Sequence, residues 1–161
     1  SKSAENHNLP LPRLIIEPGR SIIARAGVAL YRIGANKEVP GIRRYVFVDG
    51  GMADNIRPAL YGSEYSAVLA SRASDQRREI VTIAGKYCES GDVLLKDSEL
   101  PPLNPGDLLA IPASGAYCLP MASNYNAALK PPIVMLRNGQ AKLIRHRESY
   151  DDLMRHDVYS P

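Results

Sequence analysis

Thirteen prolines and twelve glycines cut this chain of 161 residues into short apolar runs, and that punctuation limits what it can fold into. Proline removes a backbone donor and glycine loosens the backbone, so both end regular elements and favour turns. A helical bundle is therefore disfavoured. Between the breaks, residues 21–33, 44–48, 66–71, 79–84, 92–95 and 107–111 read as strands of a half-buried sheet. Asp49-Gly50-Gly51 ends one strand in a loop needing free backbone geometry, and Pro105-Gly106 turns the chain before another. Asn138-Gly139, between residues 133–137 and 140–145, is a two-residue type I′ hairpin signature. Ser149-Tyr150-Asp151-Asp152 places an N-cap serine three residues before an acid and predicts a short helix to about His156. Leu14-Ile15-Ile16 reads as a buried strand stopped at Glu17-Pro18-Gly19-Arg20, preceded by an extended arm with prolines at 10 and 12. The predicted fold is mainly β, a barrel or sandwich with one or two short helices.

An apolar fraction of 45% supports one domain with a sizeable core. No run of about eighteen apolar residues exists, so no membrane span is expected. The polar start, SKSAENHNLP, lacks the apolar region of a secretory signal. A net charge of +3 does not argue for nucleic acid. The basic runs at Arg43-Arg44, Arg77-Arg78 and Arg145–Arg147 read as solvated strand ends. Two cysteines, Cys88 and Cys118, are too few for a disulfide scaffold and suit a reduced, cytoplasmic setting. His7, His146 and His156 have no metal-ligand spacing, so no metal is expected.

Four motifs carry chemistry: EPGR at 17–20, DGGMADNIRPALYG at 49–62, GKYCESGD at 85–92 and GAYC at 115–118. In this order and at these spacings they resemble the diaminopimelate decarboxylases, a branch of the alanine-racemase-like pyridoxal phosphate enzymes. The resemblance covers about residues 10–156. It implies a (β/α)₈ barrel followed by a β-barrel, Greek-key-like domain. Residues 1–20 would then be the last strand region of the first barrel, and 21–161 the C-terminal domain. In such enzymes the lysine that holds the cofactor lies far upstream. Lys2, Lys37, Lys86, Lys96, Lys130 and Lys142 are not in that context, so this stretch alone is expected to be an inactive fragment.

The resemblance also implies roles. Glu17 would face the pyridinium nitrogen of pyridoxal phosphate, where a carboxylate keeps the ring an electron sink. Gly19, Arg20 and Tyr117 would line the cofactor phosphate, with Arg20 and Tyr117 also reaching the substrate. Arg57 and Tyr61 would take the substrate's distal carboxylate, a strong oriented pairing of guanidinium fork and phenol. Glu89 would take the distal ammonium. Cys88 would protonate the carbon that loses carbon dioxide, its loop entering the partner's site in a homodimer. The implied reaction converts meso-2,6-diaminopimelate to L-lysine and carbon dioxide. An ornithine-type site would not need Arg57. The alternatives are an ornithine or arginine decarboxylase and a non-catalytic binding or dimer-partner module. Each residue also has a plainer reading: Arg57 and Tyr61 as surface residues, Tyr117 as core aromatic, Cys88 as a small buried hydrophobe. Cys118 reads as core.

Overall fold

A computed structural model describes residues 2–158. Six strands form one sheet: β1 (Ala29–Val39), β2 (Arg43–Val48), β3 (Val68–Leu69), β4 (Glu79–Ala84), β5 (Val93–Leu100) and β6 (Leu108–Ile111). Their spatial order is β3-β6-β1-β2-β4-β5. Every ladder is antiparallel except that between β2 and β4, which is parallel. The sheet curls into a half-barrel, in keeping with the mainly β prediction. β7 (Ile133–Arg137) and β8 (Gln140–Arg145) form a separate hairpin. Its turn residues, Asn138 and Gly139, adopt φ of +50° and +74°, as a type I′ turn requires.

The core follows the two-residue period of strands. Tyr31 and Ile33 on β1, Val46 and Val48 on β2, and Leu109 and Ile111 on β6 are all buried. Val81, Ile83, Leu94, Leu95, Leu100 and Leu103 join them. β4 departs from alternation because Val81–Ala84 are all buried. Its polar member, Thr82, is satisfied there: its hydroxyl donates to Asp97 Oδ1 at 3.3 Å and accepts from the Asp97 N–H at 3.2 Å.

Several boundaries differ from the sequence reading, each for a tertiary reason. Residues 21–33 are not one extended segment. Helix α2 (Arg20–Ile23) and a 3-10 turn at Ala24–Ala26 precede β1. The Gly115 N–H donates to Ala24 O at 3.0 Å and the Ser114 N–H to Gly27 O at 2.9 Å. This docking outweighs the strand preference of Ile22 and Ile23. The strand expected at 66–71 keeps only Val68–Leu69 before a 3-10 turn, where Arg72 Nη2 reaches Asp107 at 2.6 Å. β5 runs on through Lys96–Glu99 because Ile80 and Val81 pair with Glu99 and Ser98.

At the N-terminus, helix α1 (Lys2–Asn6) replaces the start of the expected arm. Leu14–Ile16 is unpaired and its side chains are exposed, so the buried-strand reading is not met: no neighbouring strand among the described residues offers a ladder. The basic runs are paired rather than merely solvated: Arg43 with Asp97, Arg44 with Glu79, Arg77 with Asp75 and Arg145 with Glu148.

A third short helix, α3 (Arg57–Tyr61), follows the Asp49–Asn55 loop. Pro58 stands in its first turn and Gly62 ends it at φ +61°, the usual asymmetry of helix ends. The last helix, α4 (Tyr150–Met154), has a full capping box between Ser149 and Asp152. No helix among the described residues is long and apolar enough to cross a membrane.

Candidate active site

Three of the four motifs converge. Helix α3 places Arg57 and Tyr61 one turn apart, with the guanidinium carbon 5.2 Å from the Tyr61 ring centroid. The same guanidinium carbon lies 5.6 Å from the centroid of Tyr117. Arg57 thus has two phenol rings beside it, an arrangement favourable to a cation. Its Nε is buried with no hydrogen-bond partner, and the side chain makes no ion pair among the described residues. A buried, charged donor without an acceptor is costly unless something fills it.

Tyr117 is aimed by unusual backbone. Its φ of +60° lies in the left-handed region, which costs a non-glycine residue about 1–2 kcal/mol. The side chain reaches over Gly19, where an added Cβ would collide with the Tyr117 hydroxyl. The EPGR glycine is therefore explained by close approach. Arg20, next along, places its guanidinium carbon 5.9 Å from the Tyr65 ring centroid. Glu17 is exposed and makes no ion pair or hydrogen bond among the described residues.

The segment just after EPGR, residues 23–27, meets the start of GAYC backbone to backbone. A Cβ on Gly115 would collide with Ile23 O and lie 2.8 Å from Gly27 N, while one on Gly27 would collide with Gly115 itself. Gly115 thus serves the docking of segment 20–27, a role its motif did not disclose.

A second centre holds the loops. Asp92, the last residue of GKYCESGD, is buried. Its Oδ1 accepts from the Met52 N–H at 2.7 Å and its Oδ2 from the Tyr87 N–H at 2.8 Å. Lys86 N donates to Gly50 O at 3.0 Å. Side chains at Gly51 or Gly85 would collide with the Asp92 carboxylate. One carboxylate thus ties the DGGMADN loop to the KYCESGD loop. Burial pushes its pKa up, and the two backbone bonds pull it back. Burial, followed by the Asp54 and Asp92 charges, pushes the Tyr87 phenol up to about 12.

Asp92→Asn is expected to loosen both loops. One backbone donor would then face an amide N–H₂ instead of an oxygen. An unsatisfied buried donor costs about 1–3 kcal/mol, and in a domain this size that lowers Tm by roughly 2–4 °C per kcal/mol. Thermal unfolding checks this, and an unchanged Tm would remove Asp92 from its assigned role.

Among the described residues, Cys88 and Glu89 make no hydrogen bond or ion pair with Arg57, Tyr61 or Tyr117. Cys88 is exposed, against the plainer reading of a buried hydrophobe, and Glu89 accepts only local bonds from Ser90 and Gly91. Gly91 lies beside Ala59 of α3, so the loop passes the helix without joining its arginine. Cys118 is buried, as expected, with its sulfur 3.9 Å from the Tyr65 hydroxyl.

The sequence profile of the pyridoxal-dependent decarboxylase C-terminal sheet domain matches residues 21–115, and the chain belongs to that family. Within it, the chain is 52% identical to the diaminopimelate decarboxylase of Synechocystis sp. over 98% of its own length and 34% of that protein. It is 48% identical to the Bacillus subtilis enzyme over 98% of its length and 36% of that protein. The chain therefore spans about a third of the curated relatives it matches. Among solved structures, it resembles diaminopimelate decarboxylase from M. jannaschii in co-complex with L-lysine. The TM-score is 0.86 at 39% identity, covering 99% of this chain and 36% of that one.

Proposed function

We propose that this chain supplies the C-terminal domain of a diaminopimelate decarboxylase, which turns meso-2,6-diaminopimelate into L-lysine and carbon dioxide. In this reading residues 1–20 close the preceding barrel and 21–161 form the sheet domain. The supporting observation is Arg57, a cation beside two phenols with a buried Nε and no ion-pair partner among the described residues. A second carboxylate, present on diaminopimelate and absent from ornithine, fits that vacancy.

The residues present also fit one side of pyridoxal phosphate. Gly19 leaves room only for the Tyr117 hydroxyl, and Arg20 stands beside it to meet the phosphate and the substrate carboxylate. Glu17 is assigned to the ring nitrogen. When bound, the cofactor supplies the sink for the electrons released by carbon dioxide. This chain's residues orient the substrate: Arg57 and Tyr61 fix its far carboxylate, and Glu89 its far ammonium. Fixing both far groups leaves the reacting carbon little rotational freedom, the main service of binding contacts remote from the reaction. The setting is cytoplasmic.

The test is substrate choice by the full-length enzyme bearing this sequence. Diaminopimelate is expected to exceed L-ornithine in kcat/KM by more than roughly a hundredfold, because ornithine leaves the Arg57 group unpaired. Comparable use of ornithine would move the protein to the diamine-forming branch.

Cys88 is assigned to protonation of the reacting carbon in the partner's site of a homodimer. Its exposure supports that placement. Cys88→Ala is expected to slow lysine formation and leave cofactor binding intact. Mixing it with a second inactive variant, lacking the cofactor-holding lysine, is expected to restore about a quarter of wild-type activity, since half the dimers then carry one complete site. No recovery on mixing means that Cys88 serves its own subunit. Near-normal turnover before mixing means that it is only packed.

A further inference from the structure

Tyr65 lies outside all four motifs, yet it touches two of the segments that build the site. Its ring stands 5.9 Å from the Arg20 guanidinium carbon of EPGR. Its hydroxyl lies 3.9 Å from the Cys118 sulfur of GAYC. The ring itself packs against the sheet core and is half-buried. Arg20 has no anionic partner among the described residues, so this aromatic face is the contact that holds an otherwise exposed guanidinium.

We infer that Tyr65 is a positioning residue for Arg20: its ring, anchored by Cys118 and the sheet core, fixes the guanidinium toward the anion that Arg20 binds. Arg20's role as an anion ligand rests on the decarboxylase reading, but its placement by Tyr65 does not. The ring face is the working part, because a cation above an aromatic ring is attracted by the ring's negative face. The hydroxyl serves to aim the ring. Burial, followed by the Cys118 thiol, holds the phenol above its ordinary range, so it stays neutral across the physiological range.

Two measurements separate placement from use. The first follows the Arg20 Nε–H by arginine-selective NMR of the full-length enzyme, assigned through Arg20→Lys. In the wild type it is expected to carry an upfield ring-current shift and slowed exchange. Tyr65→Phe, which keeps the ring, should retain the shift. Tyr65→Met, of similar bulk without a ring, should lose it. A wild-type Arg20 signal at the random-coil position overturns the proposal, and that result needs no variant to fold. A shift that persists in Tyr65→Met also overturns it.

The second measurement is KM and kcat for diaminopimelate in the full-length enzyme, with L-lysine affinity alongside. Tyr65→Met is expected to raise KM and weaken L-lysine binding roughly fivefold, the size of one exposed cation–aromatic contact, with a smaller change in kcat. Tyr65→Phe should recover most of this. If the NMR shift is lost but KM and lysine affinity stay unchanged, Tyr65 positions Arg20 as inferred, and the assignment of Arg20 to the substrate fails instead.

Discussion

Arg57→Ala in the full-length enzyme is expected to lower kcat/KM for diaminopimelate about tenfold to a hundredfold. The figure comes from losing a hydrogen bond to a charged partner, about 1.5–3 kcal/mol. Cofactor binding should be little changed, because the cofactor phosphate is assigned to the Gly19, Arg20 and Tyr117 group. Arg57→Lys should recover only part of the loss. Lysine restores a charge but not the planar fork, and it cannot stack on the Tyr61 and Tyr117 rings in the same way. Steady-state kinetics on both variants, with cofactor content measured alongside, decide the matter. Unchanged kinetics in the alanine variant would reduce Arg57 to a packing residue and leave its buried Nε unexplained.

The largest stability effect is expected at Gly115. Valine there would collide with the Ile23 carbonyl and press on Gly27 N and Ala24 O, the latter at 3.0 Å. These are backbone atoms and cannot swing aside as a side-chain tip would. The Gly115 N–H bond to Ala24 O would be strained or broken as well. Overpacking and a lost bond together suggest about 3 kcal/mol, or a Tm roughly 6–12 °C lower. Segment 20–27 should swing free, taking Arg20 with it. Gly34→Ala is the matched control. Its added methyl would meet only Phe47 O, at 3.8 Å, so its Tm should stay within a few degrees of wild type. Equal Tm values for the two variants would show that the docking of 20–27 on GAYC contributes little.

What could be read from the sequence was local chemistry. The Asn138-Gly139 turn demands positive φ at two consecutive positions, and those two residue types tolerate it. The Ser149 cap needs only groups three residues apart. β4 falls at 79–84, as its run of β-branched residues predicts. What could not be read depends on distant partners. The charged stretch Lys96–Glu99 is strand only because β4 lies beside it. Arg20–Ile23 is helix only because the GAYC loop receives it. Asp92 was visible as a charge, but a charge in a loop usually faces water. Its burial becomes intelligible once Gly51 and Gly85 leave it space and Met52 and Tyr87 offer their N–H groups. Among the site residues, Arg57, Tyr61, Gly19 and Tyr117 meet in space, while Cys88 and Glu89 make no bond to them among the described residues. Tyr65 escaped notice because its importance comes from Arg20 and Cys118, both distant in sequence.

The single parallel ladder has a bearing on how such a domain can diversify. Two antiparallel neighbours can be joined by a turn of a few residues, as β1 and β2 are. Parallel neighbours cannot, because the chain must travel back to the end from which it started. Between β2 and β4 it does so through residues 49–78, visiting β3 at the far edge of the sheet on the way. That obligatory return journey contains Arg57, Tyr61 and Tyr65. The hydrophobic register of the flanking strands does not dictate the return path's sequence, so lineages sharing one sheet can rewrite the ligand-facing part of the return without disturbing the strands on either side. Topology therefore provides a region of the chain that must be long and is only partly constrained, and the residues assigned to the substrate's far carboxylate are written there.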